Sequence, residues 1–259
     1  MTSRLATDLA ALASRRQAMG VAALGLGGLV AACQETVAAR TASGEACLLT
    51  PTEIRGPFPA DGTNASGQTL SVFGQRELVR QDIRSSFAGM TGEAPGVRLD
   101  CAIRLVSAQT CVPLAGRALY LWQCDAAGDY SLYHRRDVNW LRGMQASDAD
   151  GMVRFTTIIP GCYGGRAPHV HIEAFKSLDA ATSGHASLLV SQLAFTEEEC
   201  ARVYEASREY GASLANLRRW PATRDFAFSG PEEERMAQTI HLTGSPEKGY
   251  AGTATVTLG

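Results

Sequence analysis

Ile159-Pro160-Gly161-Cys162-Tyr163-Gly164-Gly165-Arg166-Ala167-Pro168-His169-Val170-His171 is the stretch from which the rest of the chain can be read. Continued as His169-Val170-His171-Ile172-Glu173-Ala174-Phe175, it reads as a strand, and side chains that repeat with period two put both imidazoles on one face. Their Cα atoms then stand roughly 7 Å apart, close enough for both rings to lean onto one ion. On a helix the same spacing would turn the rings about 200° apart, so a shared ion requires the strand. Val170, Ile172 and Phe175 favour that choice. A His-x-His pair alone is also what two hydrogen-bonded strand histidines look like. Tyr163 with its turn residues and Arg166 between them give the pair its weight.

A second segment lies upstream, Leu121-Trp122-Gln123-Cys124-Asp125-Ala126-Ala127-Gly128-Asp129-Tyr130-Ser131. Between the two come Arg142-Gly143, the turn Ser147-Asp148-Ala149-Asp150-Gly151, and Phe155-Thr156-Thr157-Ile158-Ile159-Pro160-Gly161. In this order the motifs resemble those of the intradiol ring-cleavage dioxygenases, of which protocatechuate 3,4-dioxygenase is one. Ser147 stands where that family usually has Thr. The resemblance begins near Leu49-Thr50-Pro51 and Gly56-Pro57-Phe58 and runs through most of the remaining chain. Pro59 after Phe58, and Ala194-Phe195 at the end of the Gln192 segment, depart from it at the expected rim of a pocket.

The resemblance implies that Tyr130, Tyr163, His169 and His171 bind one Fe(III) per chain. Two phenolates are hard anionic donors and suit a highly charged ion better than Zn or Fe(II). By the same resemblance Arg166 stabilises negative charge on the reacting ring, Gln192 assists Arg166, and Tyr163 leaves the ion to take a substrate proton. Glu173 shares the face of His171, but the family pattern gives it no ligand role. His134, Arg135 and Arg136 form either an anion-binding cluster or a solvated charge run. The implied activity is cleavage of a catechol-type aromatic between its two hydroxylated carbons, with O2, to a muconate-type diacid. A non-catalytic envelope binding module on the same fold is the alternative, and a structural or electron-carrying iron protein is a third class.

The chain has 259 residues and a net charge of −2, a balance that gives no reason to expect a nucleic-acid partner. Residues 1–33 read as an export signal, with Arg15-Arg16 ahead of an apolar run from Met19 to Val30 too short to span a bilayer. Arg15-Arg16 resembles a twin-arginine signal, which exports proteins already folded. Val30-Ala31-Ala32-Cys33 resembles a lipobox that would place a lipid, and a membrane attachment, on Cys33; ordinary cleavage nearby is the other reading. Residues 34–46 are expected to be a tether and 47–259 the domain, and a bacterial envelope location is expected.

Of seven cysteines, six remain beyond Cys33: Cys47, Cys101, Cys111, Cys124, Cys162 and Cys200. They permit up to three disulfides in an exported chain, with Cys101 and Cys111 as a candidate local pair. From Cys47 onward the pattern predicts a mostly β chain, a β-sandwich of mixed sheets with long loops. Strands are expected at Leu70–Phe73, Val97–Val106, Ala118–Trp122 and Met152–Ile159, with a terminal hairpin at 237–242 and 251–258. One helix is expected from Glu197 to about Leu217, capped by Thr196.

Overall fold

Alternating burial along Arg98–Ser107 makes this the strand on which the core is built, and the strands around it follow from the same pattern. In the computed structural model, which describes residues 37–40, 44, 46–184 and 186–259, a short pair comes first, β1 (Val37–Arg40) with β2 (Ala46–Leu48). The main strands are β3 (Arg98–Ser107), β4 (Ala118–Trp122), β5 (Arg142–Ala146), β6 (Met152–Ile158), β7 (His169–Phe175), β8 (Leu189–Phe195), β9 (Thr239–Ser245) and β10 (Gly249–Leu258). The expected leader with Cys33 and most of the tether lie outside the described residues.

Strand order is β5-β4-β7-β8-β9-β10-β3-β6. The β8–β9 and β10–β3 pairings are parallel and the others antiparallel, so the sheet is mixed. Only Ala194↔Thr239 and Phe195↔Ile240 join β8 to β9, and at that narrow seam the sheet folds over on itself. The inward faces meet in one apolar cluster: Leu99, Cys101, Ile103 and Leu105 of β3 lie with Leu119 and Leu121 of β4 and with Val170 and Ile172 of β7. This is the expected β-sandwich.

β4 and β7 are buried at every position. Their outer face is covered by loops that bring Phe58, Val72, Leu78, Phe87 and Tyr133 onto Tyr120, Trp122 and Phe175. That cover explains why Ala118–Trp122 reads as an unbroken apolar run instead of alternating.

Several expectations change. The helix from Glu197 is three pieces, because Ser207 is extended (φ −127°, ψ 128°) and Gly211 has φ +47°. With α1 (Leu178–Thr182) ahead of it, the pieces are α2 (Glu197–Ala206), a 3₁₀ turn at Arg208–Tyr210 and α3 (Ser213–Arg219); α4 (Glu232–Ala237) follows, so the described residues hold several short helices rather than one. The break lets the Tyr210 hydroxyl donate to Ile159 O at 2.9 Å and accept from Val97 N at 2.9 Å. Thr196 makes no side-chain cap; its hydroxyl bridges to β9 through Ile240 O and Leu242 N. Leu70–Phe73 contributes a single bridge, Asp61↔Ser71, and no strand.

The Cys101–Cys111 pairing also fails, for a reason of parity. Cys101 shares the inward face of β3 with Leu99 and Ile103, whereas Cys111 lies with Val106, which points the other way. Cys111 instead bonds Cys47, with Cα atoms 5.9 Å apart. Cys101, Cys124, Cys162 and Cys200 are buried free thiols, and burial pushes the Cys101 thiol up to about 12. Among the described residues no helix is long and apolar enough to cross a membrane.

The Cys47–Cys111 bond closes a loop with a sequence separation of 64. Replacing both cysteines by serine is expected to lower unfolding free energy by about 4 kcal/mol on chain-entropy grounds. Urea titration of the two proteins checks the value, and a loss under about 1 kcal/mol would count against this linkage.

Candidate metal centre

The outer face of β7 carries His169 and His171, both about 98 % buried or more. Two loops bring phenols to them. Tyr130 follows the turn after β4, where Asp125 accepts from the Ala127 and Asp129 amides at 3.0 Å each. Tyr163 follows β6 by way of Pro160 and Gly161. A Cβ at Gly161 would lie 2.5 Å from Ala126 O, so glycine there lets the two tyrosine-bearing loops pack backbone to backbone.

Four donor atoms close a ring. Tyr130 Oη lies 3.4 Å from Tyr163 Oη, which lies 3.2 Å from His169 Nε2. His169 Nε2 is 3.2 Å from His171 Nε2, and that atom is 3.1 Å from Tyr130 Oη. Atoms spaced in this way can all reach one central ion at about 2.0–2.2 Å, ordinary bond lengths to a first-row metal. Among the described residues no cluster of three or more His, Cys, Asp or Glu could hold a metal. The two phenols are therefore needed to complete the donor set.

The supports of the ring follow from burial. His169 Nδ1 donates to Ala167 O at 2.7 Å, which leaves the Nε2 lone pair facing the ring. His171 stacks on Trp122 with centroids 4.9 Å apart and planes within 9°. Its far edge meets Gly56 (φ +75°), where a Cβ would stand 2.8 Å from His171 Cε1. Burial lowers both imidazoles well below 6.5. It also raises the Tyr130 phenol well above 10 and the Tyr163 phenol to about 12. Both rings thus present neutral nitrogen lone pairs, and only a strong local cation would draw the protons from the phenols.

Arg166 sits beside the ring, its Nη1 3.4 Å from His169 Nε2. Its Nε donates to Asp225 Oδ2 at 2.8 Å, its Nη2 to Gln192 Oε1, and Phe226 lies beneath its plane at 4.6 Å. Burial opposes the guanidinium charge, but Tyr163 and Asp225 hold the pKa above the ordinary arginine value. Gln192 is itself fixed by donating to Ile54 O at 2.9 Å.

All six residues singled out from the sequence for this site therefore converge: Tyr130, Tyr163, His169, His171, Arg166 and Gln192. Glu173 does not join them; it faces Arg55, which also pairs with Asp61 at 2.7 Å. His134 Nδ1 accepts from the Tyr130 amide at 3.0 Å, and Arg135 pairs with Asp137 at 3.6 Å. Those two contacts belong to a local turn. Asp225 was missed: it lies in the Pro221–Phe228 segment, which carries no motif or periodic pattern. A separate groove of about 550 Å³ on the other outer face, lined by Arg104, Met236, His241 and Thr255 among others, holds none of these groups.

A family model described as Dioxygenase matches residues 72–210. Among solved structures, an intradiol ring-cleavage dioxygenase from Tetranychus urticae is 23% identical with TM-score 0.61, over 82% of this chain and 94% of that one. A second dioxygenase structure is 22% identical with TM-score 0.62, over 82% of this chain and 94% of that one. The dioxygenase domain of a carbohydrate-binding fusion protein from Streptomyces sp. SirexAA-E is 26% identical with TM-score 0.48, over 81% of this chain and 97% of that one. The first two likenesses are of fold. No curated protein matches.

Asp225 is fully buried and accepts from Arg166 Nε, from Ala167 N at 2.7 Å and from Ala227 N at 2.9 Å. Asp225→Ala leaves a buried guanidinium without its counter-charge and is expected to destabilise the fold by about 3–5 kcal/mol. Urea denaturation of the variant checks this, and a change under about 1 kcal/mol would mean that Arg166 finds another partner.

Proposed function

The chain belongs to the intradiol ring-cleavage dioxygenase family, and from that premise we propose that it cleaves a catechol-type aromatic between its two hydroxylated carbons with O2, giving a muconate-type diacid. The observation that carries the reading is the closed ring of Tyr130, Tyr163, His169 and His171 donor atoms, 3.1–3.4 Å apart edge to edge. The donor set fits one Fe(III) per chain: two phenols that ionise against a trivalent ion, and two imidazoles already neutral. Bound there, ferric ion would make a chelated catecholate electron-rich at ring carbon and so open to O2.

The chain's own residues then divide the work. His169 and His171 stay as fixed nitrogen donors, one held by Ala167 O and the other by the Trp122 face. Tyr130, only 1% exposed, remains the fixed phenolate. Tyr163 is the less buried of the two tyrosines, sits beside Gly164 and Gly165, and would be the one to make room for substrate, with its Oη as the acceptor of a substrate proton. Arg166, with two of its nitrogens already committed to Asp225 and Gln192, turns Nη1 toward the ring, where it stabilises negative charge that develops on substrate. Phe58, 5.0 Å from the Tyr130 ring, helps to keep water from the inner side.

We also propose that the protein is exported to the bacterial envelope, with 1–33 as its signal and Cys33 as a lipid-bearing residue. A disulfide between Cys47 and Cys111 suits an oxidising compartment, where such bonds persist.

Purified protein is expected to hold one ferric ion per chain and to be red from tyrosinate-to-iron charge transfer. Oxygen uptake with a panel of catechol, protocatechuate, hydroxyquinol and chlorinated or alkylated catechols tests the activity. Arg166→Gln should keep its iron and lose about 10²–10³-fold in kcat. Iron-loaded protein that consumes no O2 with any member would sink the enzyme reading. A folded protein that takes up no iron would point to the binding module instead.

A further inference from the structure

Arg142 is completely buried, and among the described residues no carboxylate is its partner. Its Nε donates to Ser131 Oγ at 3.0 Å and its Nη2 to Ser131 O at 2.9 Å. Its Nη1 donates to Pro59 O at 3.0 Å and to Tyr120 Oη at 3.2 Å. Burying a cation without an anion costs several kcal/mol, so an ion pair is not what keeps this side chain inside. The planar fork is what these contacts use, since it alone can reach two separate segments in fixed directions.

Both segments adjoin Tyr130. Ser131 directly follows Tyr130, and Pro59 directly follows Phe58, whose ring packs on Tyr130. Tyr130 belongs to no helix or strand. Its carbonyl accepts from the His134 and Arg135 amides at 2.9 and 3.2 Å, and Leu132 beyond it has φ +69°. A residue in such an irregular turn takes its place from whatever holds the turn to the sheet. Arg142, on β5, does so, and Ser131 Oγ passes the tie on by donating to Trp140 O at 2.7 Å.

Position in the sheet points the same way. Arg142 is the register partner of Trp122, Trp122 of His171, and His171 of Gln192. Gln192 at one end of this row holds Arg166, and His171 is a member of the ring. We propose that Arg142, at the other end, is a positioning residue that sets the Tyr130 phenol at the metal distance, with the aromatic wall of Phe58 locked behind it. The inference rests on the proposed ferric site, for which Tyr130 is a ligand.

Arg142→Lys keeps the charge but lacks the planar fork, with all its donors on one nitrogen instead of the three that now hold Ser131 and Pro59. It is expected to weaken ferric ion binding about 10–100-fold in competition with a chelator, as loss of a residue supporting a metal ligand does. The visible tyrosinate band should shift with it, and so should the near-ultraviolet circular dichroism of the metal-free protein. Ser131→Ala removes only the hydroxyl and should produce the same changes in smaller measure. It supplies the reading if the lysine protein does not fold. Wild-type affinity and an unshifted band in the variants overturn the inference, as does a lowered Tm with both of those unchanged. Wild-type protein that takes up no ferric ion overturns the proposed function instead. The metal-free dichroism then decides on Arg142, and identical spectra for wild type and both variants count against it.

Discussion

One cross-strand row sets the geometry of the centre. Directly opposed residues on neighbouring strands share a face of the sheet, and here that rule lines up Arg142, Trp122, His171 and Gln192 across β5, β4, β7 and β8. From one end to the other the row ties down the Tyr130 loop, backs a histidine, presents that histidine, and anchors the guanidinium of Arg166. A slip of one residue at any of the three pairings would send one end of the row into the apolar core. The register is protected by the opposite parity: Leu121, Ile172 and Leu193 belong to the inward cluster and could not be exposed without losing roughly 1.5–3 kcal/mol each.

The row would be useless on an open face. An antiparallel sheet usually leaves one side to water, but here the segment from Glu53 to Ala60 crosses the outer face and is tied at nearly every step. Glu53 N donates to Val190 O, Ile54 O accepts from Gln192, and Arg55 faces Glu173. Gly56 lies against His171, and the Tyr133 hydroxyl accepts from Ala60 N at 3.0 Å. That cover removes water from the imidazoles and phenols and thereby moves all four pKa values toward the neutral forms. The site proposed for a highly charged ion thus has no charge inside the ring itself. The nearest cation, Arg166, is balanced by Asp225.

What could be read in advance was what repeats or what sits in a motif. The histidine pair follows from period two alone once a strand is granted, and the strand at Arg98–Ser107 was legible in its alternation. The two tyrosines needed the resemblance, because nothing local separates a ligand phenol from a core-edge one. Contacts between segments far apart in the chain left no trace. Asp225 is 59 residues from Arg166, and Cys47 is 64 from Cys111. The Cys101–Cys111 expectation weighed nearness in sequence and overlooked parity: Cys101 points to the inward face of β3, and Cys111 packs on the other side, beside Val106. The expected long helix overlooked Tyr210, whose hydroxyl bonds both Ile159 and Val97 at the break. Arg142-Gly143 stands out as a motif in the sequence, but the row that Arg142 ends follows only from the strand register.

The same distinction between regular and irregular backbone separates the two phenols. Tyr130 is 1% exposed, its amide donates to His134, its carbonyl takes several turn amides, and its neighbour Ser131 is gripped by Arg142. Tyr163 is less buried, and the residues after it are Gly164 and Gly165, around which an added Cβ would meet nothing within 4 Å. The backbone that follows Tyr163 is therefore free of close neighbours, whereas the turn that carries Tyr130 is bonded within itself and, through Ser131, to Arg142 and Trp140. If the chemistry proposed for this centre needs one phenolate to stay and the other to leave, the backbone has already assigned the parts. The assignment comes from packing around the two loops, since the two phenolic oxygens themselves are chemically alike.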